Sequence, residues 1–315
     1  MLRKIITSIS RGAANHSGLF ALYLGSSTVS LTQIKGNKTV LRRQTDFTGA
    51  DWQPAVRAVL SVMPTGSRLH LVLAADFYQL VQLDKPELLE EEMLQALPWQ
   101  VKDLVSISPE DIIADYIDLP VHSAQQAKIN VVVASLSWLK QLVQQVTQSG
   151  QQLLTIQPEE WLALRLVKPT TSATMLVIHQ PEQEVLIQIV REGVLYFSRR
   201  TRGLGRMHLY SESELRNGEL DRLQLELQRS MDYFESQLKQ PPVRDIRLLM
   251  PNAEIVTEVL TQTGFSRVEV LSNAVVDNSL NTQQMISSWP AVAALSPARV
   301  CASASRRRWR PPPGW

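Results

Sequence analysis

Cysteine is almost absent from this chain: of 315 residues only Cys301 carries a thiol. One thiol builds no disulfide framework and no cysteine-rich metal centre, which is the usage of a reducing compartment. Long apolar runs are missing too. The hydrophobic residues, 44% of the total, fall in runs of a handful, far below the roughly 20 that cross a bilayer. Met1-Leu-Arg-Lys-Ile-Ile is basic, but neither an apolar core nor a small-residue cleavage site follows it, so the cytoplasm is the expected location.

Acid is missing from both ends. No Asp or Glu precedes Asp46 and none follows Pro290. Arg3, Lys4, Arg11, Lys35, Lys38, Arg42 and Arg43 crowd one end; Arg299, Arg306, Arg307, Arg308 and Arg310 crowd the other. The formal net charge of +2 therefore hides a body with about ten excess negative charges. Basic ends on an acidic body suit work beside an anionic membrane surface, and ordinary variation at chain ends is the competing reading. Leu2, Ile5, Ile6 and Ile9 share one helical face, so residues 1–14 read either as a short basic helix resting on lipid or as a frayed end.

Catalytic signatures are scarce. His16, His70, His122, His179 and His208 have no ligand partner at helical spacing, so no metal site is expected. No Gly-x-Ser-x-Gly elbow and no Walker loop occurs. Asp111, Asp115 and Asp118 lie along one strand-like run and are expected to face solvent. Arg199-Arg200-Thr-Arg202-Gly-Leu-Gly-Arg206 lacks the interleaved aromatics of a nucleic-acid surface, and reads as an exposed loop.

What is present is a repeated order of elements. Phe20 to Ile34 reads as strand, tight Gly25-Ser26-Ser27-Thr28 turn and strand, the kind of turn whose N–H and hydroxyl groups cradle an anion. A strand over 39–45, a helix over 51–63 and further strands follow, then a helix behind Pro86, strands 111–119 and 128–134, and a helix closed by Gly150. A strand over 152–156 and a helix over 158–167 end this half. After Pro169-Thr-Thr-Ser-Ala the pattern restarts: three strands, a long helix over 213–239, then strand, helix, strand. Three antiparallel strands followed by alternating helices and strands appear twice. The expected division is a basic segment 1–16, a first domain 17–170, a second domain 171–289 and a disordered, compositionally foreign tail 290–315.

Several strings then resemble a known family: Leu97-Pro98-Trp99-Gln-Val-Lys-Asp-Leu104, Val131-Val-Val-Ala134, Gln157-Pro-Glu-Glu-Trp161, and Leu223-Gln-Leu-Glu226-Leu-Gln-Arg229. Their order over residues 17–275 resembles the actin-like proteins of type IV pilus assembly, the PilM type, and more closely the MshI kind of MSHA pilus biogenesis protein. The resemblance implies an α/β, actin-like (duplicated ribonuclease-H-like) two-domain fold with mixed sheets, working in the cytoplasm at the periphery of the inner membrane. It implies two partners, the cytoplasmic tail of an inner-membrane pilus assembly protein and the pilus assembly ATPase, with no nucleic acid. Leu97, Pro98, Trp99 and Leu104 become candidates for binding the tail, with Trp99 as plain core the competing reading.

The resemblance also implies an ATP cleft, and here the chain departs from the pattern. The family's acid two places before the first turn's glycine is Tyr23, a neutral phenol that offers magnesium no anionic oxygen. The second hairpin reads Ile178-His179-Gln180-Pro181, with His179 in place of an acid and Pro181 in place of a glycine. The adenosine turn reads Leu249-Met250-Pro251-Asn252-Ala253, without glycine. Tyr23, His179 and Pro251 are expected to occlude the triphosphate volume together. Gly25, Ser26, Ser27, Thr28, Glu226 and Arg229 would remain as a degenerate, weak nucleotide site. A non-catalytic scaffold without a cofactor is the primary expectation. Alternatives are a working ATPase, in which an unassigned acid serves magnesium, and the cytoplasmic domain of a type II secretion platform protein.

Overall fold

The computed structural model describes residues 18–36, 38–120, 126–271 and 279–296. The basic segment 1–16, most of the C-terminal tail and Cys301 lie outside them. In the first half, β1 (Leu19–Leu24), β2 (Thr28–Lys35) and β3 (Lys38–Asp46) form an antiparallel meander. Helix α1 (Trp52–Leu60) leads into β4 (Arg68–Leu73), which pairs parallel with β1. Then come β5 (Gln79–Asp84), α2 (Glu90–Val101), β6 (Ile112–Asp118), β7 (Lys128–Ser135), α3 (Leu136–Gln148) and β8 (Gln152–Pro158). The second half holds β9 (Thr174–Ile178), β10 (Val185–Arg191), β11 (Val194–Thr201), α4 (Glu212–Arg216), α5 (Asp221–Asp232), β12 (Asp245–Leu249), α6 (Ala253–Gln262), β13 (Val268–Val270) and α7 (Thr282–Leu295).

The expected repeat is present as topology. One five-stranded sheet runs β3-β2-β1-β4-β8 and the other β11-β10-β9-β12-β13, each with three antiparallel and two parallel strands. An insertion in the first half forms its own sheet, β5-β7-β6.

Period-two alternation decides which residues go where. Along β1, Phe20, Leu22 and Leu24 pack with α1 and α3, while Ala21 and Tyr23 face the seam between the halves. On β9, Met175 and Val177 pack under α5 and α6, while Leu176 and Ile178 face that same seam. Helix α1 buries Trp52, Ala55, Val56 and Val59, the i, i+3, i+4, i+7 stripe of an amphipathic helix. Ser135 caps α3 by accepting from the Trp138 N–H at 3.2 Å, and Gly150, at φ +80°, ends it.

Four expectations are corrected. Residues 290–295 are not foreign tail: they complete α7, where Pro290 to Leu295 are all buried. That helix packs against β1, β2 and β4 of the first sheet, because the seam-facing row of those strands needs an apolar cover. The helix expected over 213–239 breaks at Asn217-Gly218, where Gly218 takes φ +110°, and it ends in a π-helical turn, Tyr233–Gln237. Residues 158–167 form two 3-10 turns instead of an α-helix, with Glu159 and Glu160 drawn inward. Asp115 is buried rather than solvated, and Asp111 binds Ser135 and the Ser137 N–H at the start of α3.

Candidate functional site

The two sheets bring the C-terminal ends of β1, β4, β8 and β9 together at the seam, and a polar bridge is buried there. The Tyr23 hydroxyl, at the end of β1, donates to Glu159 Oε2 at 2.7 Å and lies 3.1 Å from Gln180 Oε1. Glu159 Oε1 accepts from the Ala75 N–H at 3.2 Å and from Arg200 of β11. Arg200 also donates through Nε to Glu160 Oε1 at 2.7 Å. Gln180 Nε2 reaches the Ile286 carbonyl of α7 at 3.0 Å. First half, second half and last helix are thus tied by one buried network.

Electrostatics follow from burial. Desolvation and the neighbouring Glu159 carboxylate hold the Tyr23 phenol well above its ordinary range, so it stays a neutral donor. Burial pushes the Glu159 carboxyl up, against the Arg200 guanidinium and the Tyr23 hydroxyl, which pull it down. Burial also works against charged Arg200, but Glu160 and Glu159 outweigh it and its pKa is raised.

The first turn keeps its backbone shape. The Gly25 N–H donates to the Thr28 carbonyl at 2.8 Å, and a Cβ on Gly25 would lie 3.0 Å from that oxygen and 3.0 Å from the Tyr23 ring. Ser26 Oγ donates to the exposed Asp76 carboxylate, which sets an acid on the turn where a phosphate would rest. The second turn has spent its donors. Pro181 has none, the Glu182 N–H bonds the Gly205 carbonyl at 3.0 Å, and the Gln183 N–H bonds the Gln180 carbonyl at 3.0 Å.

His179 is completely buried with neither ring nitrogen partnered among the described residues. Desolvation, reinforced by the His208 ring 5.9 Å away, lowers its pKa to about 4. Pro251 is only half-buried, beside Asn252 in a left-handed conformation, so it rims its turn, whereas Tyr23 is buried at the seam and the His179 ring packs beside His208 within the second half.

Magnesium needs several oxygen ligands in octahedral array. Both Glu159 oxygens are engaged, position 23 is a neutral phenol and position 179 a neutral imidazole. No cluster of three or more His, Cys, Asp or Glu side chains able to hold a metal occurs among the described residues. These donors do not fit a magnesium–triphosphate unit. Glu226 and Arg229, expected in the degenerate nucleotide site, pair with each other at 3.1 Å, and Arg199 joins them at Glu226. Their bonds lie within the second half, whereas Ser26 bonds within the first.

The structure separates the four candidates for binding a tail. Leu97 is 0% exposed and belongs to the core under α2, so it is no contact residue. Pro98 is half-buried inside the helix. Trp99 is 70% exposed, with the Lys102 ammonium 5.8 Å from its ring, and Leu104 is 55% exposed. Plain core is thereby excluded for Trp99. On the other face of the small sheet an apolar crevice lies between β6, β7 and the ends of β4 and β8, lined by Leu73, Tyr78, Ile113, Val132, Leu139 and Trp161, with Asp115 at its wall.

Sequence reading missed Glu159, Glu160 and Arg200. Two adjacent acids directly after an apolar strand were the available signal, since such carboxylates enter a core only with a cation. Arg200, read as part of an exposed loop, is that cation.

No protein-family model matches the chain, and no curated protein matches it. Solved structures do. A chain of the PilM–PilN type IV pilus biogenesis complex aligns at TM-score 0.64 with 16% identity, covering 90% of this chain and 98% of that one. A Bacteroides thetaiotaomicron protein with actin-like ATPase fold and unknown function aligns at TM-score 0.51 with 13% identity, covering 86% and 96%. The cytoplasmic domain of EpsL, an inner-membrane component of the Vibrio cholerae type II secretion system, aligns at 0.48 with 13% identity, covering 86% and 93%. The fold is the actin-like ATPase fold.

Proposed function

We propose that this chain is a non-catalytic actin-like scaffold of type IV pilus biogenesis, of the MSHA kind. In this reading it works on the cytoplasmic side of the inner membrane, binds the cytoplasmic tail of an inner-membrane pilus assembly protein and couples it to the assembly ATPase. The observation that carries the reading is the buried Tyr23–Glu159–Arg200 bridge, which occupies with protein groups the seam where an actin-like ATPase would open around nucleotide. A scaffold held shut by its own side chains has no use for ATP as a switch.

The likeness to a chain of the PilM–PilN complex supports a partner-binding role. No helix of the described residues is long and apolar enough to cross a membrane, so in this reading membrane attachment comes from the partner or from the basic ends. The crevice beside Trp161 is the docking place we assign to the tail. It is lined almost wholly by apolar side chains, which suits the apolar side chains of a peptide.

The test is calorimetric titration of synthetic tail peptides into the full chain, with and without Mg-ATP. The expected result is micromolar binding that is unchanged by ATP and weakened about tenfold or more by Trp161→Ala. Binding that requires ATP, or no binding by any tail, would overturn the proposal.

A further inference from the structure

Positive charge with little compensation gathers at the opposite end of the second sheet from the bridge, around the N-terminal ends of β9, β12 and β13. A cavity of about 240 Å³ opens there, walled by Arg191, Arg244 and Arg267 and by the start of β9. Arg191 is fixed by neutral groups only: Nε donates to the Thr171 carbonyl and Nη1 to Gln240 Oε1, both at 2.9 Å. Arg267 pairs with Asp245 at 3.1 Å. Arg244 has no side-chain partner among the described residues.

Three guanidinium groups thus share one hollow with a single carboxylate. Folding alone gives no reason to gather like charges around an opening, because their mutual repulsion opposes it. The hydroxyls of Thr171 and Ser172, also on the wall, make no hydrogen bond among the described residues. Pro241 and Pro242 close one side with rings that lack N–H groups, stiffening the approach to Arg244. Arg267 is held at φ +49°, a left-handed backbone that a residue with a Cβ adopts only when its surroundings impose it.

We infer that this cavity is a binding site for a phosphoryl group. Guanidinium forks matched by hydroxyl donors are the recognition chemistry of phosphate oxygens. The volume falls below the roughly 300 Å³ at which pockets enclose drug-sized ligands. It therefore takes a phosphate or pyrophosphate, or the phosphomonoester head of a molecule whose remainder stays outside. The site is separate from the seam and independent of the scaffold reading.

Pyrophosphate titrated into the full chain, followed by calorimetry, tests the free-phosphate source. Co-sedimentation with phosphatidylcholine vesicles, with and without phosphatidic acid, tests the lipid source, with pyrophosphate as competitor. Arg244→Gln removes a side chain on which no protein contact depends, and should weaken either binding about tenfold. Arg57→Gln, an exposed site on α1, should leave it unchanged. Pyrophosphate binding without any effect of phosphatidic acid assigns the soluble source; sedimentation that pyrophosphate competes away assigns the headgroup. The inference is overturned if neither probe binds, if Arg244→Gln binds like the parent, or if Arg57→Gln loses as much.

Discussion

Gln180 Nε2 donates at 3.0 Å to the carbonyl of Ile286, and that carbonyl is the one Pro290 leaves unpaired four residues later in α7. A proline in a helix interior removes the i→i−4 donor. Here a side chain from the second half supplies the missing hydrogen bond to a helix lying on the first sheet. Gln180→Leu should cost about 1–3 kcal/mol by burying an unsatisfied carbonyl. Adding Pro290→Ala, which returns an N–H to that position, should recover much of the loss. Urea unfolding of the single and double variants checks this, and additive losses would show that the two residues are not coupled.

Arg200 neutralises two carboxylates that are otherwise stranded in the core. Arg200→Met should destabilise the protein by about 3–5 kcal/mol. Removing all the charges together, with Glu159→Gln, Glu160→Gln and Arg200→Met, should be milder than that single change. A cost below about 1 kcal/mol for Arg200→Met, by the same unfolding measurement, would mean the bridge does not hold the halves together.

Placing an acid at position 23 should not confer nucleotide binding. Tyr23→Asp would set a third carboxylate beside Glu159 and Glu160, while the Glu182 and Gln183 N–H groups stay bonded to Gly205 and Gln180. Neither the parent nor the variant should show a thermal shift with millimolar Mg-ATP, although saturation at 100 times the dissociation constant would contribute about 2.7 kcal/mol. Micromolar affinity in Tyr23→Asp would show that the pocket is intact apart from that one residue.

His179 should make the fold acid-sensitive. Its pKa in the folded protein is about 4, against about 6.5 in an unfolded chain. Between those values the unfolded chain binds a proton at His179 that the folded one does not, so stability falls as the pH falls through that window, by up to about 3 kcal/mol. Glu159 acts in the opposite sense, since its raised pKa contributes stability at low pH that is lost as the pH rises. The difference between parent and His179→Leu, from urea unfolding at several pH values, isolates the histidine. A pH-independent difference would argue against a buried neutral imidazole.

Much of the architecture could be read one strand at a time. The alternation in Phe20 to Leu24, the stripe in α1 and the Gly150 stop are local consequences of side-chain period and backbone freedom. The second meander repeated the first in order, which was enough to expect two like sheets. The end of the chain misled, because an Arg-, Ser- and Pro-rich composition hid a helix that starts at Asn281 with its own capping box and runs to Leu295. Leu97 and Trp99 were both candidates for binding a tail, and only packing separates them: the stripe of α2 that packs is Met93, Leu97 and Val101, and Trp99 lies off it.

The sequence by itself determined the two repeated sheets and the residues at their turns, Tyr23, His179, Pro181 and Pro251, since each of these is set by residues next to one another in the chain. It could not determine which side chains meet at the seam between the sheets. Tyr23 and Glu159 stand 136 residues apart, and Arg200 lies a further 41 beyond Glu159. Only the tertiary fold decided that they meet, because the cost of burying any one of these polar groups is offset solely when the others arrive at the same seam.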